Sequence, residues 1–83
     1  MVVITKLDGA LKFKRTDGVI NYYPAGSIRA IKVSDTEGQF VSVRDNGVAE
    51  RFDFKEVTDD LGTSDITSYI DELYIQGYIE YSN

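Results

Sequence analysis

Three dipeptides, Asp8-Gly9, Asp17-Gly18 and Asn46-Gly47, restrict this chain more than any other feature of its sequence. Gly, Asp and Asn tolerate the positive φ that tight hairpin loops require, so each pair marks a point where one strand folds back on the next. The runs between them are rich in Val, Ile, Phe, Tyr and Thr, residues that suit a pleated surface. A two-residue loop at Asp8-Gly9 sets Leu7 opposite Ala10 and Ile4 opposite Phe13. A two-residue loop at Asp17-Gly18 sets Thr16 opposite Val19 and Phe13 opposite Tyr22. Val2, Ile4, Leu11, Phe13, Ile20 and Tyr22 then share an apolar face. Val3, Thr5, Lys12, Lys14, Asn21 and Tyr23 share the other.

Tyr23-Pro24-Ala25-Gly26 breaks this run, because Pro24 lacks an N–H and Gly26 frees the chain to turn. Strands are predicted at 27–33, 39–45 and 48–54. In the last hairpin Val43 faces Glu50 and Val41 faces Phe52, which puts Val41, Val43, Val48, Phe52 and Phe54 on the apolar side with Ile31 and Val33. Farther on, Ile66, Tyr69, Ile70 and Leu73 recur at helical spacing behind the capping residues Thr63, Ser64 and Asp65. Gly77 stands where a left-handed residue ends a helix. The expected fold is mainly β within the α+β class: a six-stranded antiparallel meander curled into a roll or small barrel, with one C-terminal helix packed on it. The 83 residues make a single domain: meander 1–54, connecting loop 55–62, helix 63–77, and a short tail or edge strand 78–83. No internal repeat is evident.

Composition then narrows the function. The sequence holds no His, Cys or Trp, which removes most nucleophilic triads, His-based proton transfer and Cys/His zinc sites. No catalytic residue, metal or other cofactor, or small-molecule substrate is expected, and the chain reads as a non-enzyme. The formal charge is -5. Residues 1–34 carry six bases against two acids, and residues 35–83 carry three against twelve. The negative excess opposes general affinity for nucleic acid or anionic lipid. Opposed halves suit head-to-tail docking between copies. The opening Met1-Val2-Val3-Ile4-Thr5-Lys6 is too short and too soon charged for a signal peptide or a membrane span.

Three groups of residues are candidate sites. Glu56, Asp59, Asp60 and Asp65 surround Gly62 but lack the alternating spacing of a calcium loop, and helix capping accounts for Asp65. The face of Val3, Thr5, Lys12, Lys14, Asn21 and Tyr23 offers cations beside an aromatic. It suits a protein partner or, as the alternative, a single strand of nucleic acid on Lys12, Lys14 and Tyr23. Tyr74, Ile75 and Tyr78 lie off the apolar stripe of the helix and form a second contact surface. The partner-binding residues are therefore Val3, Lys12, Lys14, Tyr23, Tyr74, Ile75 and Tyr78.

The order of elements also resembles a family. The segment Asn21-Tyr22-Tyr23-Pro24-Ala25-Gly26-Ser27-Ile28, the strand exit Phe52-Asp53-Phe54-Lys55-Glu56-Val57-Thr58 and the helix Thr63-Ser64-Asp65-Ile66-Thr67-Ser68-Tyr69-Ile70-Asp71-Glu72-Leu73 are similar to small virion-associated proteins from the structural gene cassettes of tailed bacteriophages of Bacteroidetes. The resemblance implies a structural or assembly role in a virion or in the cytoplasm of a bacterial host. It brings no catalytic residues. Self-association or docking on a larger protein is the expected mode of action, with a homo-oligomer as the expected state.

Overall fold

A computed structural model describes residues 1–43, 49–62 and 66–82, with the backbone alone for Val43 and Ala49. Among these residues the chain forms eight strands in two four-stranded sheets, one 3-10 turn and one helix. Strands β1 (Val2–Leu7), β2 (Ala10–Lys14) and β3 (Ile20–Pro24) form one meander, and β4 (Ile28–Lys32), β5 (Gly38–Val43) and β6 (Ala49–Asp53) form another. The 3-10 turn Phe54–Glu56 leads into β7 (Val57–Asp59), which joins the first sheet parallel to β1. Helix α1 (Ile66–Ile75) then leads to β8 (Ile79–Ser82), which joins the second sheet parallel to β4. The strand orders are β3-β2-β1-β7 and β6-β5-β4-β8.

The fold is thus mainly β with one helix, as expected, but it is neither a six-stranded meander nor a closed barrel. The break at Pro24 moves the chain from one sheet to another instead of adding a fourth consecutive strand. Val57–Asp59, within the stretch expected as loop, is a strand. The edge strand expected after the helix is β8.

The registers explain which side chains point inward. Leu7 pairs with Ala10 and Ile4 with Phe13, as the Asp8-Gly9 loop requires. Only Gly9 has positive φ there, so the loop lacks the double left-handed pattern of a type I′ turn. At Asp17-Gly18 the loop has three residues, not two. Arg15 N–H donates to the Val19 carbonyl, Gly18 N–H donates to the Arg15 carbonyl, and Gly18 takes φ 89°. The Asp17 carboxylate accepts from Val19 N–H and pairs with Arg15. The extra residue slips β3 by one position, so Leu11 opposes Tyr23 and Phe13 opposes Asn21. A slip of one reverses a strand's faces. Tyr23 is therefore buried, while Tyr22 and Ile20, expected inside, are exposed.

The second meander is also one residue out of the expected register, but there the reversed strand is β5. Phe40 opposes Phe52 and Val41 opposes Arg51, so Phe40 takes the inward place expected for Val41, while Phe52 faces inward as expected. In β4 the inward residues are Ile28 and Ala30, and Val33 is exposed. Asn46-Gly47 and the caps Thr63, Ser64 and Asp65 lie outside the described residues.

The two meanders are one pattern used twice. A constant shift of 29 residues carries the β2–β3 ladder onto the β5–β6 ladder: Leu11↔Tyr23 becomes Phe40↔Phe52, and Phe13↔Asn21 becomes Ser42↔Glu50. The same shift aligns Gly9 with Gly38, Arg15 with Arg44, Gly18 with Gly47 and Val19 with Val48. This repeat escapes a reading of the sequence because so few of its residues are identical.

Aromatic rings join the sheets. Phe13 lies 4.9 Å from Phe52, 5.2 Å from Tyr23 and 6.1 Å from Phe40, the last two edge-to-face. Phe40 meets Phe54 at 5.0 Å. Such pairs add about 0.5–1.5 kcal/mol each beyond their burial. Gly38 is fixed by this packing. A Cβ there would stand 2.3 Å from the Ile31 carbonyl oxygen and 2.6 Å from the Phe54 ring.

Helix α1 turns Tyr69, Ile70 and Leu73 inward and contacts both β7 and β8, so it closes the side of the sandwich where those strands lie. It ends in a Schellman motif. Tyr78 N–H donates to the Leu73 carbonyl and Gly77 N–H to the Tyr74 carbonyl, with Gly77 at φ 85°. Two lysines, one from each sheet, hold its outer side. Lys6 Nζ lies 2.7 Å from Glu72 Oε1, and Lys32 Nζ lies 3.6 Å from Asp71 Oδ1.

Two variants separate core from tolerated burial. Phe13→Ala is expected to cost about 3–5 kcal/mol, a large share of the stability of a domain this size. Ser42, its counterpart, is buried with an unpartnered hydroxyl, so Ser42→Ala is expected to leave the urea midpoint unchanged or raise it. Gly38→Ala, which sets a carbon against a backbone oxygen, is expected to lower stability by ~3 kcal/mol or more through overpacking. Gly9→Ala, with nothing within 4 Å of its added carbon, should lose only about 1–2 kcal/mol from its backbone conformation. Equal midpoints for the two glycine variants would contradict the packing described.

The helix clamp has a pH signature. A hydrogen bond from Tyr81, then Lys32, holds the Asp71 carboxyl below its usual 3.8. A hydrogen bond from Lys6 and its charge hold Glu72 below its usual 4.5. Groups with depressed folded pKa values contribute stability that is complete above the ordinary values and is lost as pH falls through the folded ones. Lys6→Met should therefore lower the urea midpoint at pH 7 and converge on the wild type below pH ~3. A constant difference across that range would show that the pair does not act through charge.

Candidate functional site

The two sheets carry unequal outer faces, although the pattern beneath them is the same. On the first sheet, cross-strand pairing places Tyr22, Lys12 and Thr5 in one row and Ile20, Lys14 and Val3 in the next. These are the residues that the pleat turns away from Leu11, Phe13 and Ile4, all buried. Tyr22 is 62% exposed, Ile20 and Val19 are also exposed, and Val3 and Lys12 are half-buried. Among the described residues Lys12 and Lys14 have no ion-pair partner, whereas Lys6, Lys32 and Lys55 each pair with an acid.

The equivalent face of the second sheet covers itself at its centre. Val41, which stands where Lys12 does in the first sheet, lies between Arg29 and Arg51 and is only 8% exposed. Arginine stems shield such apolar surface while their charged ends stay in water. Arg29 pairs with Glu80 at 3.4 Å, Arg51 donates to Gln39, and Gln39 donates to Asp53. Toward the β4–β5 loop this face opens into a depression of about 460 Å³ lined by half-buried Ile31, exposed Val33, Glu37, Asp53 and Glu56. Lys55 neutralises Glu37. Among the described residues Asp53 and Glu56 have no basic partner.

The sequence-predicted residues are thus partly brought together. Val3, Lys12 and Lys14 share the open face. Tyr23 does not join them. It is 6% exposed, its ring packs on Phe13, and its hydroxyl donates to Glu50 at 2.5 Å. Asn21 donates to the same carboxylate. Tyr22 takes the place expected for Tyr23, and the three-residue loop at 16–18 is the feature that would have revealed it.

Tyr74 and Ile75 are exposed on the helix, Ile75 at 82%. Tyr74 stacks at 4.6 Å on Tyr81, whose ring lies 5.1 Å from Lys32 Nζ and whose hydroxyl donates to Asp71. Burial and this carboxylate push the Tyr81 hydroxyl up to about 12. Tyr78 is half-buried against the core, and its hydroxyl donates to the Leu7 carbonyl at 2.7 Å. It ties the end of the helix to β1 and leaves Tyr74 and Ile75 as the outward pair.

The acidic loop makes a turn. The Asp59 carboxylate is buried and accepts from Leu61 N–H at 3.1 Å. Burial, with Asp60 and Asp59 next in effect, pushes the Tyr69 hydroxyl well above its ordinary value. Among the described residues no three His, Cys, Asp or Glu side chains are grouped to hold a metal, and Asp65 lies outside them. No described helix is long and apolar enough to cross a membrane. Comparison of the chain with family models, curated proteins and solved structures finds no match.

Proposed function

We propose that this chain is a non-enzymatic structural or adaptor protein that works by self-association or by docking on a larger protein, with the outer face of the β3-β2-β1-β7 sheet as its principal contact surface. One observation carries the reading. Of two outer faces built on the same pattern, one has its centre covered by its own ion pair and hydrogen bonds and the other leaves Lys12 and Lys14 unneutralised at its centre beside exposed Ile20 and Tyr22. Exposed aromatic side chains are enriched on surfaces that another molecule covers, and unpaired charges beside them set the orientation of docking. Tyr74 and Ile75 offer a second, smaller contact. The absence of His and Cys supports a non-catalytic role, and the resemblance to tailed-phage structural cassettes supports a place in a virion or its assembly.

A second reading rests on Tyr22 standing directly across from Lys12. A single strand of nucleic acid could set a base on Tyr22 and phosphates on Lys12 and Lys14. The net charge of -5 works against it.

Sedimentation velocity decides between these outcomes. At high micromolar concentration, alone or with the proteins encoded beside it, the wild type is expected to form species larger than 9.3 kDa. Lys12→Glu/Lys14→Glu is expected to prevent this with an unchanged circular dichroism spectrum. Salt-sensitive retention on oligonucleotides, lost in the same variant, would favour the second reading. A wild type that stays monomeric with every such protein would overturn the first.

A further inference from the structure

The open face and the acidic depression lie on opposite sheets, and each holds what the other lacks. Lys12 and Lys14 project from β2, one of the two inner strands of the first sheet, beside exposed Ile20 and Tyr22. Asp53 and Glu56 line, with Ile31 and Val33, a depression on the outer side of the second sheet. Among the described residues, neither the two lysines nor the two carboxylates has a partner of opposite charge within the monomer.

We propose, resting on the self-association reading above, that the Lys12/Lys14/Tyr22 face of one copy seats on the Asp53/Glu56 depression of the next. The contact is head-to-tail. Lys12 and Lys14 sit about 7 Å apart along β2 and present two cations to the two carboxylates, while Ile20 and Tyr22 cover exposed Val33 and the part of Ile31 that reaches the surface. The alternative two-fold contact, open face on open face, would bring the central lysines of both copies together without a counter-charge. Like charges facing each other oppose that arrangement. Because donor and acceptor surfaces lie on opposite sheets, each bound copy leaves one of each exposed, and the contact repeats as a ring or an open chain.

The face is small. Four strands about 4.8 Å apart and about 17 Å long give roughly 300 Å² of sheet, well under the ~800 Å² per partner of a standard stable interface. A single contact is therefore weak. It is expected at high micromolar concentration, to weaken in salt, and to persist where many copies are held together.

Charge exchange tests the inference by sedimentation velocity. Lys12→Glu/Lys14→Glu and Asp53→Lys/Glu56→Lys are each expected to be monomeric, since each faces like with like. Their equimolar mixture is expected to regain the wild-type size distribution, as is the chain carrying all four changes. Asp53→Asn/Glu56→Gln, a milder change, is expected to weaken self-association at least ~10-fold and serves if the reversal perturbs folding. A wild type that is monomeric alone yet joins a larger protein through Lys12 and Lys14 would overturn this inference and leave the adaptor reading standing. So would oligonucleotide binding without self-association. Unaltered self-association of Asp53→Lys/Glu56→Lys would overturn it directly.

Discussion

The contact of the Phe13 ring with Phe40 and Phe52 is the interaction on which the remaining structure depends. Two sheets of four short strands each have one apolar side, and neither is stable until that side is covered. Phe13 extends from β2, near the middle of the first sheet, and reaches strands of the second. Tyr23 packs on its edge from β3, and Phe40 carries the contact on to Phe54 in the segment that returns the chain to the first sheet. With the inner faces committed to each other, the outer faces are what the molecule presents to water and to partners.

Much of this was legible in the sequence, and the failures have definite causes. Asp8-Gly9 correctly placed Leu7 against Ala10 and Ile4 against Phe13. Asp17-Gly18 marked a turn just as clearly, but an Asp-Gly pair does not say whether the loop has two residues or three. The three-residue form, with Gly18 left-handed and Asp17 bonded to Val19 N–H, exchanged the fates of Tyr22 and Tyr23. A face-level reading of β3 has a period of two, so a single residue decides it. Pro24 and Gly26 showed that the strand run stops. They could not show that it resumes in another sheet, because that depends on what the apolar sides meet in three dimensions.

The parallel strands were hidden for a different reason. Val57–Asp59 is three residues long and joins β1 from more than fifty positions away. Nothing local distinguishes such a strand from loop. Its role is clear only in the fold, where β7 and β8 add the same fourth strand to two copies of one meander, and the helix between them spans the gap. The copies agree at inward positions, with Leu11 matched by Phe40 and Tyr23 by Phe52. Ser42 matches Phe13 and is the exception.

Outward positions differ between the two meanders, and that difference says where to look for function. Packing preserves inner residues whatever the molecule does, so their likeness carries no information about partners. The outer residues of a duplicated pattern are free of that constraint. At the centre of the second sheet they cover one another, with Val41 under Arg29 and Arg51 and with Arg29 on Glu80. In the first sheet the same position is Lys12, and the position of Arg51 is Tyr22. A cation now occupies the centre and an exposed aromatic the flank, which inverts the arrangement that lets the other face cover its own apolar surface. Isolated in water, a sheet gains nothing from that inversion: the lysines repel each other and the Tyr22 and Ile20 surface stays wet. In the self-association we propose, a surface of opposite charge lies against this face, and the depression bordered by Asp53 and Glu56 on the far side of this same molecule supplies one.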